Sequence, residues 1–224
     1  MLVLRRCASS VMVLGLIVAS GCSTSGSDSA SSAPSTSPSP TLDLSRLAEV
    51  GDDFPPSFTP TPPAGPKTVT PRDAQLISDA VSYGKPLTVA PPECRPLFKP
   101  VAAQAGAEKM GVGAGGPQPP ALVVSAVSPV AVPDPLPTRG CDRMTFTVAG
   151  AVPDGTAERL AAPHIEGATT NGLKVLFDGG VEYFYTAILD GRTYVEVWCR
   201  VGPDFQAEPV LPDLLTKAVA AIRQ

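Results

Sequence analysis

The sequence predicts one α+β domain, in which helices come first, an antiparallel sheet of about five strands follows, and a helix closes the chain. Three observations support this order. Helix-start signals near residue 70 precede a long stretch of alternating apolar and polar residues, and two Asp-Gly pairs divide that stretch into hairpins. An amphipathic segment over 212–222 then ends the chain.

The predicted helices begin near residue 43. Residues 43–49 allow a short helix, and the proline-rich strip 50–66 should stay extended. Thr70 and Pro71 form a good helix start, which predicts a helix to about residue 82. A further helix is expected from Pro91-Pro92-Glu93-Cys94 to about residue 110, followed by a glycine-rich loop over 111–118.

Alternating residues dominate the chain from residue 122 onwards. They predict strands over 122–127, 144–148, 173–177, 181–189 and 192–201, a short helix over 156–162, and turns at 178–180 and 190–191. Residues 43–224 are therefore expected to form a single domain.

The turn at Asp190-Gly191 also predicts the register of its hairpin. A two-residue type I′ turn pairs Leu189 with Arg192, which turns one face into the core and gathers aromatic residues on the other. Those aromatic residues are Tyr183, Tyr185, Tyr194 and Trp198. The aromatic face is either covered, for example by the strip 50–66, or exposed as a ledge suited to glycan, lipid or peptide recognition.

The first 21 residues have the pattern of an export signal. Arg5 and Arg6 precede an apolar run over 11–18, which is shorter than the ~20 residues of a transmembrane helix. Ala19-Ser20-Gly21-Cys22 resembles the lipobox of bacterial lipoproteins, in which cleavage precedes a cysteine that carries the acyl chains. This resemblance implies lipidation of Cys22 and an anchor at the extracytoplasmic face of the cell membrane; the alternative is an ordinary secretory signal.

Residues 22–42 form the lipidated cysteine and its tether. Ser, Pro, Thr, Ala and Gly make up almost all of 23–41, and such a composition cannot bury a core. Because Arg5 and Arg6 leave with the signal, 15 basic residues remain against 21 acidic ones. Anionic headgroups repel an acidic domain, so the acyl anchor must hold the protein at the membrane.

Three of the five cysteines, Cys94, Cys141 and Cys199, lie in the predicted domain. Export places them in an oxidising compartment, so one disulfide is expected and one thiol is left over. Three pairings are possible. We favour Cys94–Cys141, because both residues fall at element boundaries, whereas Cys199 lies on an inward strand face.

The sequence lacks several kinds of reactive site. His164 is the only histidine, so no metal or catalytic constellation that needs two can form. No Gly-X-Ser-X-Gly motif accompanies it, and the run 111–116 does not lead from a strand into a helix as a phosphate-binding loop does. We therefore expect no catalytic residue, no metal site, no cofactor and no enzymatic activity. The net charge of −4 also argues against a nucleic-acid partner.

Several features together resemble those of mycobacterial envelope lipoproteins that carry a C-terminal domain of unknown function. They are the lipobox ending at Cys22, the Ser/Pro-rich tether, Pro91-Pro92-Glu93-Cys94, Tyr183-Phe-Tyr-Thr-Ala187 and the final helix. More loosely, the chain is similar to the extracytoplasmic sensor domains of receptor-like serine/threonine kinases. The resemblance implies a binding or sensing role at the cell surface, and it implies no activity.

Two functions follow as hypotheses. The first is a lipid-anchored envelope protein whose domain binds an envelope lipid, glycan or protein without catalysis. The second is an accessory subunit that binds another envelope protein through the 181–201 hairpin face and needs no small ligand.

Overall fold

The computed structural model describes residues 42–115, 121–150, 154–177, 179–201 and 205–224. Within these ranges ten strands form one antiparallel sheet. The strands are β1 (Thr59–Pro60), β2 (Lys67–Thr68), β3 (Leu87–Ala90), β4 (Ala102–Gly115), β5 (Ala121–Ala131), β6 (Arg143–Val148), β7 (Gly155–Leu160), β8 (Ala168–Phe177), β9 (Gly180–Leu189) and β10 (Thr193–Arg200). They lie in the order β1-β4-β5-β10-β9-β8-β7-β6-β3, and β2 also pairs with β4.

The helices of the described residues are few and mostly short. They are α1 (Pro71–Leu76), α2 (Ala207–Ile222) and two 3₁₀ helices over Leu44–Asp53 and Pro92–Leu97. None is long and apolar enough to cross a membrane. The predicted class, an α+β domain with about five strands, is therefore wrong, because the fold is mostly β.

One predicted helix is replaced by a strand, and another is a strand over its second half. The helix expected to run to residue 110 stops at Leu97, and β4 begins at Ala102. Pro96 and Pro100 disfavour a continuous α-helix there, because proline lacks an N–H and clashes with the preceding turn. The helix expected over 156–162 is β7, which fills the sheet between β6 and β8. Residues 111–115, expected in a loop, belong to β4.

The helix start at Thr70 is correct, but the helix is shorter than predicted. The Thr70 side chain accepts from the backbone N–H of Asp73, and the Asp73 carboxylate accepts from the N–H of Thr70, which completes a capping box. The helix ends at Leu76, and Ser78 then adopts a left-handed backbone with φ of 61°. Such a conformation cannot continue an α-helix.

Each face of the sheet packs against a different covering layer. Helix α2 and the helix Leu44–Asp53 pack on what we call the helix face, which buries Leu122, Val124 and Val197. Segments around the helix Pro92–Leu97 pack on the opposite face, which we call the disulfide face, over Phe146, Leu173 and Phe184. Phe54 and Phe58 of the proline-rich strip are buried at the helix face, so they hold the strip against the domain.

Candidate functional site

The β9–β10 hairpin has a different register from the one its turn predicts. Asp190 and Gly191 have positive φ, and Leu189 accepts from the N–H of Arg192, as in a two-residue turn. However, Leu189 pairs with Thr193 rather than Arg192. The Arg192 carbonyl accepts instead from the N–H of Val130 on β5, so Arg192 stays out of the β9 ladder. This one-residue shift turns every β10 side chain to the other face.

The predicted aromatic face therefore does not exist as one surface. Tyr183 and Tyr185 lie on the helix face, where Tyr185 is only 1% exposed. Tyr194 is buried on the disulfide face, and Trp198 is partly buried on that same face. The hairpin also lies at the centre of the sheet between β8 and β5, so it offers no free edge for docking another protein.

A row of polar side chains crosses the centre of the disulfide face. Cross-strand pairing places Asn171 of β8 beside Thr186 of β9, Thr186 beside Glu196 of β10, and Glu196 beside Ser125 of β5. Directly opposite Ser125 on β4 stands Gly111. Buried polar groups lower stability unless they are hydrogen-bonded. The four adjacent polar side chains of this row should therefore have hydrogen-bond partners.

The polar row is only partly satisfied within the described residues. The Tyr194 hydroxyl donates a 2.5 Å hydrogen bond to the Glu196 carboxylate. Burial raises the pKa of Glu196, and burial together with the Glu196 charge raises the pKa of Tyr194. Asn171 is 2% exposed and Thr186 4%, yet Asn171 Oδ1 and Thr186 Oγ1 have no hydrogen-bond partner there. An unmet buried polar group costs about 1–3 kcal/mol, so these two atoms lower the stability of the sheet.

The row ends at a strip of bare backbone on β4. Gly111, Gly113 and Gly115 alternate with Met110, Val112 and Ala114, whose side chains are buried on the helix face. The glycines consequently line the disulfide face, where β5 contributes Val123 and Ser125 beside them. We call Gly111, Gly113, Gly115, Val123 and Ser125 the glycine platform, and all five are at least partly exposed.

The fold itself does not require these glycines. None of the three has a positive φ. A Cβ added at Gly111 or Gly113 would come no nearer than 3.6 Å to another atom, and one at Gly115 would meet nothing within 4 Å. Glycine in a strand weakens it and often marks a place where another molecule approaches the backbone closely. The sequence carries a signal for this platform, a glycine at every second position over 111–115, but glycine-rich runs of this kind are also typical of loops.

Trp198 and Glu196 form the inner border of the glycine platform. Trp198 pairs across the sheet with Val123, and Glu196 pairs with Ser125. The Trp198 indole N–H donates a 2.8 Å hydrogen bond to Glu182, whose carboxylate lies 3.7 Å from the Arg200 guanidinium. The border therefore has a carboxylate bonded to an aromatic side chain at each end, Glu196 with Tyr194 and Glu182 with Trp198.

An exposed tyrosine stands close to the Glu182 end of this border. Tyr83 is 64% exposed and has a left-handed backbone with φ of 52°. Its loop is held by Asp79, whose carboxylate accepts from the N–H and hydroxyl of Ser82 and from the N–H of Gly84. Partial burial and the charge of Glu182 raise the pKa of Tyr83.

The cysteines of the domain are arranged as favoured from the sequence. Cys94 and Cys141 form a disulfide with an S–S distance of 2.01 Å. Cys199 is a free, buried thiol on the helix face, and burial raises its pKa to about 12. His164 is exposed. Cys22, residues 23–41 of the tether and Asp178 of the 178–180 turn lie outside the described residues.

Residues 43–223 match the family model of a domain of unknown function, DUF5642. The chain belongs to the DUF5642 family. This match covers all ten strands of the described sheet and all four described helices. The part of the sequence resemblance that concerned a C-terminal domain of unknown function is thereby confirmed.

Two solved structures are similar to this DUF5642 protein. An uncharacterized protein from Mycobacterium smegmatis, the Rv0999 ortholog, is 25% identical, with a TM-score of 0.61 over 83% of this chain and 99% of that chain. The extracellular domain of PknH from Mycobacterium tuberculosis is 13% identical, with a TM-score of 0.39 over 80% of this chain and 92% of that chain. No functionally curated protein matches the sequence.

Proposed function

We propose that this DUF5642 protein is an exported, lipid-anchored envelope protein whose domain binds a hydroxyl-rich ligand, an envelope glycan, without changing it chemically. The observation that carries the proposal is the meeting of the polar row and the glycine platform at Glu196 and Ser125. Buried polar atoms without partners lie on one side of this junction, and accessible bare backbone lies on the other.

The residue types at this junction suit a sugar better than a charged or fully apolar ligand. Sugar rings have apolar faces that stack on aromatic side chains, and Trp198 is the partly exposed aromatic residue of the border. Their hydroxyls donate to carboxylates and exchange hydrogen bonds with hydroxyl groups, which Glu196 and Ser125 provide. Glycine at 111 and 113 lets a ring approach the strand without meeting a side chain.

Export and anchoring rest on the first 22 residues and on the disulfide. The charged start, short apolar run and lipobox-like Ala19-Ser20-Gly21-Cys22 support cleavage after Gly21 and lipidation of Cys22. A disulfide between Cys94 and Cys141 suits an oxidising compartment outside the cytoplasm. We therefore place the domain at the extracytoplasmic face of the cell membrane, beside the glycans that it would bind.

The alternative role, an accessory subunit that docks through the 181–201 hairpin, receives less support from the structure. Most side chains of β9 and β10 are buried by α2 or by the segments on the disulfide face. The part of the hairpin that reaches solvent around Trp198 is the border of the glycine platform.

A fluorescence titration tests the proposed binding site. Trp198 is the only tryptophan, so its emission reports on the platform border alone. We expect cell-wall oligosaccharides to shift this emission saturably in the native protein. Gly113→Leu, which places a side chain on the platform, should abolish the response while leaving the far-UV circular dichroism unchanged.

Ala131→Leu is the matched control, because Ala131 is exposed at the far end of β5, away from the platform. This variant should bind as the native protein does. A saturable response that survives Gly113→Leu would contradict the assigned site, and the absence of any saturable response would contradict the glycan proposal.

A further inference from the structure

A basic cavity lies next to the loop that carries Tyr83. It encloses about 320 Å³, and its lining includes Asp79, Ser82, Lys85, Arg95 and Lys99. Three cationic side chains thus share one cavity with a single carboxylate. The whole chain is acidic, with a net charge of −4, so this concentration of positive charge is a local feature.

The one carboxylate of the cavity is already occupied by hydrogen bonds. Asp79 accepts three of them at 2.7 Å, from the Ser82 N–H, the Ser82 hydroxyl and the Gly84 N–H. These bonds hold the loop in its turn. Asp79 forms no salt bridge within the described residues. It therefore does not pair with Lys85, Arg95 or Lys99, and these cations can bind another anion.

The cations are also short of partners in the described part of the chain. Lys85 and Arg95 form neither a salt bridge nor a side-chain hydrogen bond there. Lys99 donates from Nζ to the carbonyl of Gln75 at 3.0 Å, which leaves two of its three N–H groups free. Lys85 and Arg95 are exposed and Lys99 is partly buried, so all three can reach a solute.

The wall that carries Arg95 and Lys99 is rigidly held. Arg95 follows Cys94, which is fully buried and bonded to Cys141. Phe98, next to Lys99, is also fully buried, and its carbonyl accepts from the N–H of Ala80. A backbone that is already fixed needs no further ordering when its side chains bind a ligand, which favours affinity.

A second cavity on the other side of Arg95 and Lys99 has a different charge balance. It encloses about 540 Å³ and is lined by Glu93 and Asp134 as well as by these two cations. The two carboxylates offset the two cations there. An anion is therefore favoured in the cavity that contains Lys85, where the cations outnumber the carboxylate by two.

We propose that this basic cavity binds a phosphate group. The guanidinium of Arg95 can donate two parallel hydrogen bonds to phosphate oxygens, and the Lys85 and Lys99 ammonium groups add point charges. The group could belong to a free phosphate or to the headgroup of an anionic lipid, since both present the same oxygens. This site shares no residue with the glycine platform and does not depend on the proposed glycan.

Calorimetric titration of the full chain in a non-ionic detergent tests the phosphate site. Inorganic phosphate and glycerophosphoglycerol, the deacylated headgroup of an anionic lipid, are the two probes. We expect at least one of them to bind, with a loss of about tenfold or more in affinity for Arg95→Ala and a smaller loss for Lys85→Ala. Binding of phosphate would indicate a free anion as the source, whereas binding of the diester alone would indicate a headgroup.

Lys67→Ala is the matched control, because Lys67 is an exposed lysine on β2 that does not line the cavity. It should bind as the native protein does. The proposal is overturned if neither probe binds at millimolar concentration, or if the Arg95 and Lys85 variants bind as tightly as the Lys67 control. Unchanged far-UV circular dichroism in each variant would exclude misfolding as the cause of a loss.

Discussion

The indole N–H of Trp198 donates a 2.8 Å hydrogen bond to the carboxylate of Glu182 on the adjacent strand. The same carboxylate lies 3.7 Å from the guanidinium of Arg200. The position of Trp198 is thus fixed by its indole N–H. Across the sheet, Trp198 pairs with Val123, and Val123 pairs with Gly113. This arrangement fixes the one tryptophan of the chain at the border of the glycine platform.

Glu182→Gln should loosen the hold on Trp198. The charge-assisted bond to the indole becomes a weaker neutral one, so we expect the free energy of unfolding to fall by about 1 kcal/mol. The emission of Trp198 should also change, because its polar neighbour changes. Urea denaturation and emission spectra check both effects. Glu166 is exposed, so Glu166→Gln is the control and should change neither the stability nor the emission. Unchanged stability and emission in Glu182→Gln would contradict the assigned contact.

Gly113→Ala should separate stability from binding. A Cβ at this position makes only ordinary contacts, and alanine restricts the unfolded chain more than glycine does. We therefore expect the free energy of unfolding to stay equal or to rise by up to about 1 kcal/mol. Oligosaccharide affinity should nevertheless fall, since the methyl group lies on the platform. A variant that is destabilised by several kcal/mol would show that the fold needs glycine here.

Glu196 should make stability depend on pH. Burial raises its pKa, and the smaller opposing effect is the hydrogen bond from Tyr194. Between the ordinary value of about 4.3 and the raised value, the folded state binds more protons than the unfolded state. The contribution of Glu196 to stability is therefore full below the ordinary pKa and is lost as the pH rises through the raised one.

Glu196→Gln removes this titration, so its stability relative to the native protein should improve as the pH rises from 4 to 7.5. Urea denaturation of both proteins across this range measures the difference. The same experiment with Glu166→Gln controls for a general effect of charge. A difference between Glu196→Gln and the native protein that stays constant with pH would contradict the burial of this carboxylate.

Cys199 should be chemically inert in the folded protein. It is fully buried, and its pKa is raised to about 12, so almost no thiolate forms at neutral pH. We expect a thiol-specific alkylating reagent to leave Cys199 unlabelled under native conditions and to label Cys199 completely in urea. Peptide mass spectrometry identifies the labelled site, and Cys199→Ser provides the blank. Rapid native labelling of Cys199 would show that the helix face opens there.

The sequence predicted strands well where side chains alternate. Met144, Phe146 and Val148 alternate with two threonines, and this predicted segment is β6 with the three apolar side chains buried. The end of strand β4 was missed because glycine takes every second position over 111–115, so half of the alternating pattern there has no side chain. Strand β7 was missed for a similar reason, since Ala157 is its one buried apolar side chain.

The register of the hairpin could not be predicted from its turn alone. Asp190-Gly191 adopts the left-handed backbone that the sequence predicts. The shifted register leaves the Arg192 carbonyl bonded to the N–H of Val130, which is far away in the sequence. The polar row could not be predicted either, because its four residues lie on four strands and meet only through long-range pairing.

The most direct test of the glycan site follows the backbone amides of Gly111, Gly113 and Gly115 by NMR during a titration with cell-wall oligosaccharides. Glycine amides resonate in a separate region of the ¹⁵N spectrum, which makes these three residues good reporters. The account predicts saturable shifts at the platform and at Ser125 and Glu196, with none at exposed glycines such as Gly140. Saturable shifts confined to another surface, or none at the platform with any oligosaccharide, would contradict it.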